Sequence, residues 1–587
     1  MVIIIYEAFS AVLAALTKLS IIVLLVVILN LIRRLFSDAG LPHHLPWAGA
    51  GENPGPFSRA KANFSSIFHI RLLLEEGYNK YSKNGQVYVL PYFIDGPQVI
   101  LPMSQIGWLL SQPEHILSQE DVNAQFLQAK YTLLGANRAG SPVHTEVIRH
   151  QLTQKIHSYA DDIADEMQAC LEELWGTDTD EWREIRVYDT VLEIITRLST
   201  RVFVGLPLCR NKVFLKACSS YIRNVVLVAA AISLFPDFLK PIFGPVLTLY
   251  DRMQHHRTAA FLKPMIRERL AQLEKQSPVK SEPPNDYIQW SLTHALSHPS
   301  PDPIALDPSL IASRFSVLAF AAVQSSAITL TNALFDLAAC EPSPPSRSAQ
   351  AVLRQEVVRE VISLPSPSPS PYPTSTCSSS TGADSSQPGA GAEAGVVGGR
   401  KGNGDFGKPA LARLRGVDSA LRETLRLHAF VERGVVKMVR PAEGVELPPA
   451  NCNGNGNGNG NGDGNTNTRL PRGTKVGVSG YCVHRDAEVY ADPERYDAFR
   501  FVGAGGEGKG KGNERLVHTS ETFMSFSHGA HACPGRFFAA NQLKIALAHI
   551  VWLYEIEPIA RRPENKWFFG HIAPPMRDTL RVRRRKI

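Results

Sequence analysis

The chain has 587 residues, too many for one small domain and enough for a large buried core. With 44% hydrophobic residues and a formal net charge of only +7, it is neither a disordered chain nor, by composition, a nucleic-acid binder. Its eight scattered cysteines form no CxxC pair, which argues against a disulfide scaffold or a zinc site and suits a reducing compartment, where a free thiolate survives to bind a metal.

The amino terminus reads as a membrane anchor over residues 1–37. Leu19 to Ile32 is apolar apart from Ser20 and Asn30, and the pattern extends back through Phe9 to Leu16. About 20 residues span a bilayer if Lys18 snorkels to one face. Arg33 and Arg34 follow, and no basic residue precedes Lys18, so the carboxy-terminal side is expected in the cytosol. A cleaved signal peptide fits less well, because the basic residues follow the apolar run and no small-residue cleavage site ends it. Residues 38–60 contain Leu41-Pro42-His43-His44-Leu45-Pro46-Trp47, read as a stiff proline-rich connection to a body at 61–587.

The body reads as mainly helical to about residue 340, with amphipathic spacing over Ala160–Leu174 and a long, apolar and nearly uncharged stretch, Ser309–Leu337, as a buried central helix. Short strands are expected at 86–90 and 98–101 as one pair, and at 435–439 and 475–478 as another. Residues 365–405, 451–468 and 503–514 are low-complexity insertions expected to be disordered. The basic run Arg581 to Lys586 is expected to be a solvated tail. Asn63-Phe64-Ser65 is a glycosylation sequon by pattern only.

The chemistry is concentrated in Phe526-Ser527-His528-Gly529-Ala530-His531-Ala532-Cys533-Pro534-Gly535, which fits F-x-x-G-x-x-x-C-x-G. A metal–thiolate bond to a flat cofactor needs a lone cysteine on a loop that approaches closely. Gly529 and Gly535 permit the tight turns. Backbone N–H groups around such a loop tune the sulfur, and the amino-terminal end of a helix over Arg536–Val551 would stabilise the thiolate.

This segment resembles the haem-binding loop of the cytochrome P-450 superfamily, and His531 to Ala539 is similar to its filamentous-fungal secondary-metabolite members. The resemblance implies Cys533 as axial ligand to the iron of haem b, Phe526 packed near it, and His531 bonded to a haem propionate. It also implies a mainly α fold with small β-sheets around one haem.

The family's second element, E-x-x-R, occurs at Glu146/Arg149, Glu356/Arg359 and Glu423/Arg426. Context selects the third, within Leu421 to Leu427. Tyr496-Asp497-Ala498-Phe499-Arg500-Phe501 resembles the family's F-x-x-x-R-F block, so Glu423, Arg426 and Arg500 are expected to form a buried, structural charge network. The family's oxygen-activation groove reads Ala/Gly-Gly-x-Asp/Glu-Thr-Thr/Ser; here it is Ala321-Ala322-Val323-Gln324-Ser325-Ser326. Ser325 keeps a hydroxyl for proton relay, whereas Gln324 orients water but cannot act as an acid. By position, Leu427–Val431, including Phe430, and His571–Met576, including Ile572, Ala573 and Pro574, resemble substrate-pocket turns. No W-x-x-x-R propionate site is evident; Arg149 is the candidate substitute.

The resemblance implies a monooxygenase that inserts one oxygen atom from dioxygen into a small lipophilic molecule such as a fungal terpenoid, meroterpenoid or polyketide intermediate. Electrons would come from NADPH through a separate NADPH–cytochrome P-450 reductase. The enzyme would be single-pass in the endoplasmic reticulum membrane, in contact with membrane lipid and not nucleic acid, with a cytosolic catalytic domain. The departures at Ala322 and Gln324 keep a second reading in play, an isomerase or dehydratase that works without reductase. A non-catalytic haem binder is the third.

Overall fold

The computed structural model describes residues 2–52, 54–136, 147–152, 155–274, 283–297, 303–340, 348–362, 405–429, 432–449, 468–503, 514–568 and 571–587. The three low-complexity insertions lie outside these residues except at their ends.

The central helix, Pro308–Ala339, carries the architecture. Asp307 caps it by accepting from the Ser309 N–H at 2.9 Å, and Pro308 suits the first turn, where no backbone donor is needed. It packs against the helices Val187–Phe203, Lys212–Ser233, Leu249–Glu274, Arg415–His428 and Arg536–Leu553. Together with Ile156–Trp175 these form the larger of two apolar cores. Expected helix positions agree with these to within a few residues.

The smaller core lies around a five-stranded sheet in the order Tyr88–Leu90, Gln98–Ile100, Lys475–Gly477, Val436–Val439, Leu117–Ser118. The two expected strand pairs are thus one sheet: Gln98–Ile100 runs parallel to Lys475–Gly477, with Val99 opposite Val476. Parallel pairing joins segments distant in sequence, so local pattern could not reveal it.

The basic carboxy-terminal run is not a solvated tail. Thr579–Arg584 is the central strand of a three-stranded antiparallel sheet with Arg183–Arg186 and Tyr554–Ile556. Leu580 and Val582 alternate inward, while Arg581 and Arg583 pair with Glu557 at 3.0 Å and Glu555 at 2.8 Å.

The first helix runs from Val2 to Phe36, and Leu13–Phe36 is long and apolar enough to cross a membrane, with none of its most apolar window buried in the body. Two core helices, Lys212–Ser233 and Pro308–Ala339, meet the same length and composition test among the described residues, but 44% and 67% of their most apolar windows are buried inside the protein. The anchor's last turns are fastened to the body. Asn30 Nδ2 donates to Leu234 O at 3.2 Å, and Arg34 donates to Ser233 O at 2.7 Å and Ile94 O at 2.9 Å. Asn63 of the sequon is 1% exposed, and its amide donates to Leu35 O at 2.8 Å. Its role is to satisfy a helix-end carbonyl, and its side chain is closed to modification. The stretch expected to be a stiff connection also packs into the body. Leu41, Leu45 and Trp47 are buried in the smaller core, and the Val89 N–H bonds to Pro46 O at 2.8 Å. Exposed Phe57, Phe64, Phe68 and Leu72 continue the apolar surface beside the anchor, with Phe57 against Phe36 edge to face.

Candidate active site

The loop before the Arg536–Leu553 helix is held by its own backbone. The Cys533 N–H donates to Phe526 O at 2.8 Å and the Ala532 N–H to Gly529 O at 3.1 Å. Two residues of the loop have left-handed backbone, Ser527 at φ 58° and Gly529 at φ 75°. The first is a non-glycine held there by its surroundings, as is common where a loop serves chemistry. At Gly529 a Cβ would also come within 3.0 Å of Leu110 Cδ2, so both conformation and space require glycine.

Burial pushes the Cys533 thiol up from its ordinary value, and the backbone N–H groups of Gly535 and Arg536 and the Arg536 charge pull the other way. These donors stand at the start of a helix, where they favour a sulfur carrying negative charge. Phe526 packs on the larger core, and every residue from Ser525 to Phe537 is at least partly exposed.

The central helix also has an open stretch. Leu310–Ser316 and Ser326–Ala338 are buried at every position. Between them Val317, Phe320, Ala322, Gln324 and Ser325 are partly exposed and Ala321 is exposed. The Ser325 hydroxyl donates to Ala321 O at 3.2 Å, and Gln324 Nε2 donates to the Tyr188 hydroxyl at 3.4 Å. A single thiolate would give an iron one protein ligand, so an iron held by Cys533 would need a cofactor that supplies the others, as a porphyrin does. The donor set and the open stretch of central helix therefore fit a haem.

Behind the loop stands the charge network. Both oxygens of Glu423 accept from Arg426 at 2.8 Å, and Arg500 Nε donates to Glu423 Oε1 at 2.9 Å. Glu423 and Arg426 are fully buried. Arg426 also donates to the carbonyls of His484 and of Pro493, the latter at 2.7 Å. The second E-x-x-R, Glu356/Arg359, is not an ion pair. Glu356 accepts from the N–H groups of Gly416 and Val417 at 2.7 and 3.0 Å, capping the helix that carries Glu423, while Arg359 pairs with Glu360. The carboxylate faces a helix start, where orphan N–H groups attract it more than a mobile guanidinium does.

Sequence reasoning missed several supports. Arg422 donates to Arg515 O and His518 O at 2.7 Å and stacks 3.7 Å from the Phe523 ring centre, fixing the approach to the Cys533 loop. The Ser525 hydroxyl donates to Leu425 O at 2.9 Å, and His484 Nε2 accepts from the Met524 N–H at 3.0 Å. Asp336 on the central helix accepts from Thr424 at 2.8 Å and Arg562 at 2.5 Å and lies 3.0 Å from His428 Nε2. The repeated arginine and histidine around E-x-x-R was the available signal, but partners so distant in sequence gave no pattern.

The remaining expected residues divide. His531 Nε2 lies 3.3 Å from Glu114 Oε2 on a partly exposed face. Ile572 is buried against the smaller core, with Pro574 buried and Ala573 partly exposed. Phe430, and the side chain of Arg149, lie outside the described residues.

A mainly helical body, a thiolate loop ahead of a helix and an E-x-x-R network behind it define a haem-thiolate protein. A sequence profile of the cytochrome P-450 family matches residues 106–362 and 465–577, and the chain belongs to that family. It is similar to the cytochrome P-450 monooxygenase gloP of Glarea lozoyensis, 28% identical over 552 residues, covering 92% of this chain and 91% of that protein. It is also similar to cytochrome P-450 monooxygenase 151 of Postia placenta, 31% identical over 521 residues, covering 88% and 89%. Cytochrome P-450 monooxygenase htyF of Aspergillus rugulosus is 29% identical over 522 residues, covering 87% of this chain and 68% of that protein. The chain is accordingly a cytochrome P-450 monooxygenase whose cofactor is haem iron.

Proposed function

We propose that this enzyme inserts one oxygen atom into a lipophilic secondary metabolite of the terpenoid, meroterpenoid or polyketide kind. The observation that carries the reading is the Cys533 loop, closed by the Cys533 N–H to Phe526 O bond and aimed at by the N–H groups of Gly535 and Arg536. Cys533 holds the iron, Phe526 shields the sulfur, Gly529 and Gly535 allow close approach, and His531 serves a propionate. When bound, the haem supplies dioxygen binding and O–O cleavage, favoured by electron donation from the thiolate.

The chain's own residues orient and exclude. Glu423, Arg426 and Arg500 fix the region behind the loop. Ser325 offers the hydroxyl that passes protons from the open stretch of the central helix, and Gln324 orients solvent beside it. Phe430, Ile572, Ala573 and Pro574 line the substrate side, and apolar walls exclude water from the reacting centre. Two electrons come from NADPH through a separate reductase, and the anchor of residues 1–37 holds the body, residues 61–587, on the cytosolic face of the endoplasmic reticulum membrane. The fungal origin of the relatives supports the substrate class.

Expression with a fungal reductase in a host fed candidate scaffolds tests the reading. Mass spectrometry is expected to show a product heavier by one oxygen and dependent on NADPH. Turnover without NADPH, giving a rearranged or dehydrated product, would overturn it in favour of a reductase-independent isomerase or dehydratase.

A further inference from the structure

Gln324 stands where the family pattern has an acid, and an amide cannot supply a proton as a carboxyl does. What it does in this fold is set by a residue far away in sequence. Its Nε2 donates to the hydroxyl of Tyr188 at 3.4 Å. Tyr188 lies in the first turn of the Val187–Phe203 helix, which packs along the central helix, and is 2% exposed. The other end of the amide, Oε1, is buried with no hydrogen-bond partner among the described residues.

An amide is rigid, so holding one end fixes where the other points. Turning it over would place Oε1 on the Tyr188 O–H and leave the nitrogen as the spare group, so in both orientations one polar end faces Tyr188 and one is left over. A leftover buried polar end is the kind of group that an ordered internal water satisfies. The next residue is Ser325, whose hydroxyl donates to the carbonyl of Ala321, the exposed residue of the open stretch.

We infer that Tyr188 is a positioning residue for oxygen activation: it holds one end of the Gln324 amide and so presents the other to the solvent that delivers protons to Ser325. The inference rests on the roles given above to Gln324 and Ser325. An ordinary core tyrosine would differ. Its loss would remove one hydrogen bond from the fold but leave the fate of dioxygen unchanged.

The test uses the full-length haem-loaded protein in membranes with reductase, and takes carbon monoxide and dioxygen as probes. Infrared spectra of the reduced carbon monoxide complex report polarity above the iron. The ratio of peroxide to water formed per NADPH, without substrate, reports proton delivery. Tyr188→Phe is expected to keep the thiolate-ligated absorption band, shift the carbon monoxide stretch, and change the peroxide-to-water ratio about fivefold, the weight of one ordinary neutral hydrogen bond. Gln324→Leu should do the same, and the double variant should add nothing further.

A Tyr188→Phe protein with the parent's stretch and ratio overturns the inference. Ser325→Ala separates it from the reading beneath: an altered ratio there leaves that reading standing, and an unaltered ratio removes it. Should Tyr188→Phe fail to fold, Gln324→Leu decides: the parent's stretch and ratio in that variant overturn the inference, and a shifted stretch with a changed ratio supports it.

Discussion

Arg500 reaches back 77 residues to place its Nε 2.9 Å from Glu423 Oε1. It thereby shares with Arg426 a carboxylate that is fully buried. A carboxylate so buried is tolerable only with its charge partners in place. The Asp497 N–H, at 3.1 Å, completes the cage.

Removing one partner leaves a buried charge uncompensated. Arg426→Ala is therefore expected to cost about 3–5 kcal/mol, a large share of the roughly 5–15 kcal/mol that holds a domain folded. Thermal unfolding and the yield of haem-loaded protein measure it. Arg426→Ala accumulating at the parent's yield and unfolding temperature would contradict the role given to the network.

Arg422 contributes through shape as much as charge. Its guanidinium serves two carbonyls and stacks on Phe523, which an ammonium cannot reproduce. Arg422→Lys should destabilise by about 2 kcal/mol and speed hydrogen exchange in the segment 514–533. Unchanged exchange there would show that the loop is held by other means.

Stability should fall with acid below about pH 6.5. His484 accepts from the Met524 N–H through Nε2 and lies 3.1 Å from Arg426 O through Nδ1, so the fold holds it neutral. Burial, then the charges of Arg426 and Arg485, lower it from 6.5 to about 3. His549 and His255 are each lowered to about 4, chiefly by burial. Unfolded histidines bind protons below 6.5 and these folded ones do not. Their contribution is present above 6.5 and is lost as pH falls from there towards 4 for His549 and His255 and towards 3 for His484. Unfolding temperatures measured from pH 8 to 5 should decline, and His549→Gln should flatten the slope.

What was legible in the sequence was local or compositional. The Cys533 loop carries its instructions within ten neighbouring positions, and the central helix announces itself by a long, nearly uncharged apolar run. Glu423 was distinguishable from Glu356 only by context, and the fold shows why bare E-x-x-R is weak: Glu356 has the spacing yet caps a helix. Contacts such as Tyr188 with Gln324, or Asp336 with Arg562, join residues 136 and 226 positions apart and leave no periodic trace. The basic end misled because charge outweighed the alternation of Leu580 and Val582.

The anchor makes a separate prediction. Deleting residues 1–36 removes the apolar span and the Asn30 and Arg34 bonds but leaves Phe57, Phe64, Phe68 and Leu72 exposed. The truncated protein should keep weak, detergent-sensitive vesicle binding, and replacing those four residues by serine should abolish it. Truncated protein wholly free of vesicles would deny that apolar surface a part in membrane contact.

The proposed function stands or falls with Cys533 as the ligand to the haem iron. The reduced, carbon-monoxide-bound absorption spectrum of the parent and of Cys533→Ala tests it most directly. The parent should show the thiolate-ligated band and the variant should lose it. A band retained by Cys533→Ala, or missing from properly folded parent protein that contains haem, would contradict it.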